Sequence, residues 1–355
     1  MAKNILVVDG SSLLSSCYYG TIPKKLLAAD KLTEEEKEML YKALLHAPDG
    51  TYTNAIYAFL KILSKIITEF DYERICFCFD KGREKLSRKK LYPAYKAQRK
   101  ETPPPLKQQY ITIENLLSDL GFTVLYSDED EADDWAASVV NQAVKEGYSV
   151  DILTKDRDYL QLVDDKHNVS VFLMQTTQDK CTEHRNVYNI TEKWPDKTIR
   201  YTDAICFFEE GCWPTQIPDI KGLQGDSSDN IPGVKQLSAA AGPLLEIYKT
   251  VEGIYNAIET TDAKELQTMW KEQLKGCRSP YNALTKVYEG EDIPDAKTAA
   301  LLSKQLAIMK KNLPVPPITS AYWNKVNKEK FDAWMTRLNI KSIVFPDKSF
   351  KTQNL

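Results

Sequence analysis

Apolar residues along the first half of the chain fall alternately into short continuous runs and into helical spacings. Ile5-Leu6-Val7-Val8 is a run that suits a strand buried on both faces, and it stops at Asp9-Gly10-Ser11-Ser12, where Asx or Ser turn chemistry begins. Residues 33–45 read as a charged helix ended by Pro48-Asp49-Gly50. Over residues 53–69, Ile56, Phe59, Leu60, Leu63, Ile66 and Ile67 recur on one helical face that would pack on a sheet. Residues 74–80 alternate, with Ile75, Phe77 and Phe79 on one side and Cys76, Cys78 and Asp80 on the other, so a second strand is predicted that again ends on an aspartate. After Thr102-Pro103-Pro104-Pro105 a helix is predicted at about 106–119, then a strand over Phe122–Tyr126. A helix through Trp135, Val139, Val140 and Ala143 follows, and then a strand over residues 150–154.

Strands alternating with helices imply an α/β fold with a mainly parallel central sheet flanked by helices, and ligands in such sheets gather outside the carboxyl ends of the strands. Asp9, Asp80, Asp156 and Asp158 all fall at that edge. Strand signals thin out beyond about residue 195, so two domains are expected: an α/β core over 1–195 and a helical region over 196–355.

The 355 residues carry a net charge of −3, which hides two opposed segments. Residues 81–100 hold nine Lys or Arg against one acid, interleaved with Tyr92 and Tyr95, while residues 128–134 hold six acids in seven positions. Seven cysteines without a Cys-x-x-Cys and three scattered histidines give neither a disulfide framework nor a zinc site. No apolar run reaches the length of a membrane span and the amino terminus opens on a strand instead of a signal peptide, so a cytoplasmic protein is expected. The string Glu131-Ala132-Asp133-Asp134 suits the dipole at a helix start, and on its own it is an ordinary solvated cap. Beside four further aspartates at neighbouring strand ends, it becomes a cluster whose repulsion calls for cations. Oxygen-only ligands suit Mg²⁺ or Mn²⁺, and two such ions are the chemistry of phosphodiester hydrolysis.

In family order the chain carries Val7-Val8-Asp9-Gly10-Ser11-Ser12, Phe79-Asp80-Lys81-Gly82, Leu91-Tyr92-Pro93-Ala94-Tyr95-Lys96-Ala97-Gln98-Arg99, Glu131-Ala132-Asp133-Asp134, Leu153-Thr154-Lys155-Asp156-Arg157-Asp158, and Gly225-Asp226-Ser227-Ser228-Asp229-Asn230-Ile231-Pro232-Gly233-Val234-Lys235. With these strings it resembles the 5′ nucleases: the nuclease domain of bacterial DNA polymerase I, bacteriophage 5′ to 3′ exonucleases and flap endonucleases. The resemblance implies a PIN-like core and a structure-specific nuclease acting on 5′ flaps, branched or nicked DNA and RNA-DNA hybrids, with exonuclease, flap-endonuclease and RNase H action in replication. It implies two Mg²⁺, for which Mn²⁺ substitutes, held by Asp9, Asp80, Glu131, Asp133, Asp134, Asp156, Asp158, Asp226 and Asp229. Catalysis would rest on Asp9, Asp80, Asp133 and Asp156 with Lys96 and Arg99 at the scissile phosphate. An arch over residues 81–105 would bring Lys85, Arg88, Lys96 and Arg99 to nucleic acid and stack Tyr95 on a base. The string from Gly225 to Lys235 resembles a helix-turn-helix-type element in which Gly233 and Lys235 hold duplex phosphates, often with K⁺. Replication partners (a polymerase, a clamp or a single-strand-binding protein) are implied, and a membrane is not.

Two departures stand out. After Lys235 the family's second glycine turn and basic helix are replaced by Gln236-Leu237-Ser238-Ala239-Ala240-Ala241-Gly242, which removes the usual frame of the K⁺ site. Residues 21–50 and 175–215 are expanded, and the tail after 280 has no counterpart. The alternatives are a PIN-like ribonuclease and an inactive nucleic-acid-binding scaffold.

Overall fold

The computed structural model describes residues 3–192, 194–274, 279–322 and 325–349. Six strands form one sheet: β1 (Asn4–Asp9), β2 (Arg74–Cys78), β3 (Thr123–Leu125), β4 (Ser149–Thr154), β5 (Val169–Met174) and β6 (Thr198–Tyr201), in the order β3-β2-β1-β4-β5-β6. Neighbouring strands are parallel except β6, which runs antiparallel to β5. The apolar run of β1 is at the centre and is buried on both faces, as a continuous hydrophobic run requires.

Asp9 ends β1 and is itself the N-cap of the helix Gly10–Thr21, so the expected turn is a helix start with no intervening loop. Gly10 allows this abrupt transition. A Cβ there would lie 2.3 Å from the Phe79 ring, so only glycine lets the helix start beside the end of β2. The helix Asn54–Glu69 buries the predicted apolar face against one side of the sheet, where Phe59 and Phe77 have ring centroids 5.8 Å apart. Each such side chain contributes about 1.5–3 kcal/mol by burial. The other face of the sheet is covered by the helix Ala132–Lys145 through Ala136, Val139, Val140 and Ala143.

The boundary expected at residue 195 is crossed twice. β6 extends the sheet past it, and the chain end returns: Phe331, Met335, Leu338, Ile343 and Phe345 join the cluster that contains Phe59 and Leu63. Apolar residues in the helix Lys328–Arg337 and after it therefore serve the first core and not a separate unit. Between them lies a helical region with its own core around Leu244, Leu245, Val251, Ile254, Leu266 and Trp270. Among the described residues, no helix is long and apolar enough to cross a membrane.

The basic segment forms a short helix, Ser87–Leu91, followed by turns, and it lies against the protein body. Leu86 and Tyr95 pack with Ile231, Leu306 and Ala307 and so join the segment to the helical region. The apolar residues interspersed among its charges account for this: Leu86 and Tyr95 are buried while Lys85, Lys89 and Lys100 remain near or at the surface.

Candidate active site

Parallel register sets Val8 beside Phe77 and Leu153, so the carboxyl ends of β1, β2 and β4 lie together. Asp9, Asp80 and Asp156 leave the sheet at that edge. Asp9 is buried; its Oδ1 accepts the Ser12 N–H at 2.9 Å and its Oδ2 accepts the Thr154 hydroxyl at 2.7 Å. Asp80 Oδ1 accepts the Ala132 N–H at 2.9 Å, so the end of β2 helps to satisfy the first turn of the helix Ala132–Lys145. Asp156 Oδ1 accepts the Asp158 N–H at 2.9 Å and caps the 3₁₀ turn Arg157–Leu162. Burial, with the charges of Asp80 and Asp156, pushes the Asp9 carboxyl up to about 7. Asp158 is also raised to about 7, by burial and by Asp156, against the pull of Lys221.

The acidic string divides its work. Asp134 is fully enclosed: Arg88 Nη2 and Nη1 donate to its two oxygens at 2.7 and 2.9 Å, and the Lys310 N–H donates at 2.8 Å. Glu131 accepts from Arg88 Nη1 at 2.6 Å, from the Tyr95 hydroxyl at 3.1 Å and from Lys96. Burial opposes ionisation of Glu131, but Lys96 and Arg88 together hold its carboxyl down at about 2. Asp133 has a buried Oδ1 with no hydrogen-bond donor, and burial raises its pKa well above the ordinary value.

Asp226 and Asp229 arrive on a tight loop. The Asp226 N–H donates to Ile231 O at 2.9 Å and the Ile231 N–H returns a bond of 2.8 Å, which closes the loop on itself. Gly233 makes the closure possible, with φ of +61° and no room for a side chain: a Cβ would lie 2.2 Å from the Gly225 nitrogen. Lys221 joins Asp158 to Asp226, the latter at 2.6 Å, while Arg99 and Lys96 pair with Asp229. A cleft of about 590 Å³ opens beside this arrangement, lined by Ser12, Asp156, Asp158, Lys221, Asp226 and Asp229 among others.

The geometry corrects three readings of the nucleic-acid contacts. Tyr95, expected to stack on a base, is 2% exposed, and its hydroxyl reaches Glu131 and Asp229. Arg88, expected at phosphate, is 5% exposed and is held among two carboxylates and the Leu306 and Ile308 carbonyls. Gly233 is buried, and its N–H already donates to the Ser303 hydroxyl at 2.9 Å. Lys85 remains a surface cation paired with Asp128 at 2.9 Å, and Lys235 is a surface cation on Glu291. The sequence reading overlooked Lys221, whose place just over one helical turn before Asp226 was its only signal.

Among the described residues, no three acidic, histidine or cysteine side chains close into one coordination sphere; Lys96 and Lys221 each bridge two carboxylates, and Arg99 pairs with Asp229. The donor set still fits a hard divalent cation. It is all oxygen, it places Asp9 within range of two other carboxylates, and it contains Asp133 Oδ1, which has no hydrogen-bond donor and meets Arg88 only at 3.7 Å. This has a measurable consequence. Between the unfolded carboxyl value of 3.8 and the folded value of about 7, the native state holds protons at Asp9 and Asp158 that the unfolded chain has lost. Their contribution to stability therefore falls as pH rises through that window. A cation that requires both groups ionised reverses the trend, so Mg²⁺ is expected to raise Tm more at about pH 8 than at about pH 5.5, with proton release on binding near neutrality. Equal Tm shifts at both pH values, with no proton release by calorimetry, would contradict this.

Comparison with known proteins places these features in a wider setting. Residues 4–194 match the family model described as 5′-3′ exonuclease, N-terminal resolvase-like domain, and residues 212–329 match 5′-3′ exonuclease, C-terminal SAM fold. DNA polymerase I of Caldicellulosiruptor bescii is 33% identical over 86% of this chain and 32% of its own length. A 5′-3′ exonuclease of Buchnera aphidicola is 27% identical over 93% of both chains. The chain thus spans about a third of the polymerase relatives it matches. Two bacteriophage T5 structures share its fold at a TM-score of 0.52. One is a protein co-crystallised with metal ions (18% identical, 87% of this chain, 89% of that one), and the other is a flap endonuclease in complex with DNA and metal ions (17% identical, 85% and 89%).

Proposed function

The chain belongs to the 5′-3′ exonuclease family, and from that premise we propose that it is a divalent-metal-dependent 5′ nuclease cutting phosphodiester bonds of 5′ flaps, branched DNA and RNA-DNA hybrids during replication. The observation that carries the proposal is the convergence of Asp9, Asp80 and Asp156 at one sheet edge, where Asp156 lines a cleft shared with Asp158, Asp226 and Asp229. Asp9, Asp80, Asp133, Asp156, Asp158 and Asp226 would hold two ions of the Mg²⁺ class. Glu131 and Asp229 serve chiefly to fasten Lys96 and Arg99, and Asp134 is committed to Arg88. Bound there, the ions would supply Lewis acidity, turning water into a nucleophile near neutral pH and offsetting charge on the phosphate.

The chain's own residues do the rest. Burial works against the Lys96 charge, yet Glu131 and Asp229 keep the ammonium protonated, so a permanent cation stands beside the cleft. Arg99 adds a second, and a phosphate entering beside Asp229 meets both. Lys96→Ala is expected to lower the single-turnover rate by roughly 100-fold and to leave substrate affinity nearly unchanged, because the interaction strengthens as charge develops in the transition state. An unchanged rate would remove Lys96 from this role.

Lys235 lies on the far side of the Gly225–Gly233 loop, with its ammonium 2.5 Å from both Glu291 oxygens and 4.7 Å from the Tyr288 ring centre. In the proposed complex it exchanges Glu291 for duplex phosphate. Lys235→Ala should then weaken binding to nicked duplex and reduce the slope of log K against log salt by about 0.9. A slope equal to the parent's would show that Lys235 does not reach phosphate.

The test of substrate class is cleavage of a 5′ flap DNA, a matched RNA-DNA hybrid and a structured RNA, with product lengths mapped. Cuts near the flap junction or within the hybrid support the proposal. Cutting of structured RNA alone would favour a PIN-like ribonuclease, and binding without cutting a scaffold.

A further inference from the structure

The basic segment is fastened to the loop Gly225–Gly233 by hydrogen bonds concentrated over a few residues. Asn230 Nδ2 donates to the Ala94 carbonyl at 2.7 Å, and the Lys96 N–H donates to the Asp229 carbonyl at 2.9 Å. Gln98 Nε2 adds bonds to Ser227 O at 2.8 Å and Ser228 O at 3.3 Å. Both residues at the centre of this junction have left-handed backbones, Lys96 at φ +56° and Asn230 at φ +58°. Asparagine tolerates that conformation. Lysine adopts it less readily, so contacts that favour it matter. The loop is suited to impose it, since it is closed by the paired bonds of Asp226 and Ile231 and by the contact of Gly225 with Gly233.

We propose that Asn230 is a positioning residue: by holding the Ala94 carbonyl it fixes the left-handed turn that holds the Lys96 ammonium against Glu131 and Asp229, at the edge of the cleft, and so couples the loop next to Lys235 to the reacting phosphate. The proposal rests on the reading of Lys96 given above. It explains why an asparagine occupies this position: the left-handed backbone presents the Asp229 carbonyl to Lys96 while the side-chain amide reaches Ala94, a pair of tasks that glycine could only half perform.

Two variants separate the tasks. Asn230→Gly retains the left-handed backbone without the donor, and Asn230→Asp retains size and backbone tolerance but turns an acceptor toward Ala94 O; circular dichroism identifies whichever variant folds. Hydrogen exchange of the metal-free protein is expected to rise about tenfold across residues 92–99 and to stay unchanged in β1 and β4. The single-turnover rate on a flap should fall by about 100-fold, the effect of misplacing a group by roughly 1 Å, with the Kd for nicked duplex within about twofold of the parent. In a Lys96→Ala background, Asn230→Gly should lower the rate by far less than the roughly 100-fold expected with Lys96 present, the remainder reporting Arg99. Unchanged exchange at residues 92–99, or the same loss of rate with and without Lys96, would overturn the proposal. If Lys96→Ala alone leaves the rate intact, the role of Lys96 fails instead, and exchange still decides whether Asn230 holds the turn.

Discussion

Arg88→Met is expected to destabilise the protein by about 3–5 kcal/mol, a large share of a typical folding free energy. The guanidinium is enclosed, and each edge is in use. Nη1 serves Glu131 and Asp134, Nη2 serves Asp134 and Ile308 O, and Nε serves Leu306 O at 2.9 Å. Methionine matches its length but leaves two carboxylates and two carbonyls without that donor in a site closed to water. An exposed pair such as Lys85 and Asp128 is worth roughly 0–1 kcal/mol, so Lys85→Met provides the control. Arg88 also joins the start of the helix Ala132–Lys145 to the end of the helix Ala296–Ala307. Urea denaturation should therefore show both the α/β core and the helical region weakened. A loss below about 1 kcal/mol would mean that the buried cluster is relaxed by water.

Asp156→Asn is expected to lower Mg²⁺-dependent cleavage by roughly 100- to 1000-fold, the equivalent of several kcal/mol of lost charge stabilisation. The fold should be retained, because the asparagine oxygen still accepts the Asp158 N–H that caps the 3₁₀ turn. With one charge removed beside Asp9 and Asp158, the pKa of both neighbours should fall and the metal-free variant should be at least as stable as the parent near pH 8. A thermal melt at that pH distinguishes lost chemistry from lost structure. Cleavage at the parent rate would remove Asp156 from the metal set.

The sheet and its acidic edge were legible because both follow from local patterns. A continuous apolar run ending on Asp9, an alternating run ending on Asp80 and a third followed by Asp156 are enough to predict parallel strands with carboxylates at one end. β6 was not anticipated because the second domain was expected to begin where it completes the sheet, and β5 was passed over although Val169–Met174 is largely apolar. The return of Phe331 and Phe345 to the first core could not be read from spacing, since helical periodicity says which face is buried but not against what. The basic segment shows the same limit at the level of single residues. Lys85 and Arg88 sit three apart among like charges, yet one is solvated and the other enclosed, because the carbonyls that receive Arg88 come from Leu306 and Ile308, more than two hundred residues away. Tyr95 is decided in the same way by Ile231, Leu306 and Ala307. Charge density located a segment that the fold sets beside the carboxylates; which of its side chains face outward depended on tertiary packing.

The most direct measurement is cleavage of a 5′-labelled flap substrate by the full chain, with Mg²⁺ and with EDTA, resolved by product length. The account predicts cuts near the flap junction that require Mg²⁺ and disappear with EDTA. Tight binding with no cutting in Mg²⁺, or equal cutting in EDTA, would contradict the assignment of the acidic sheet edge as a metal-dependent nuclease site.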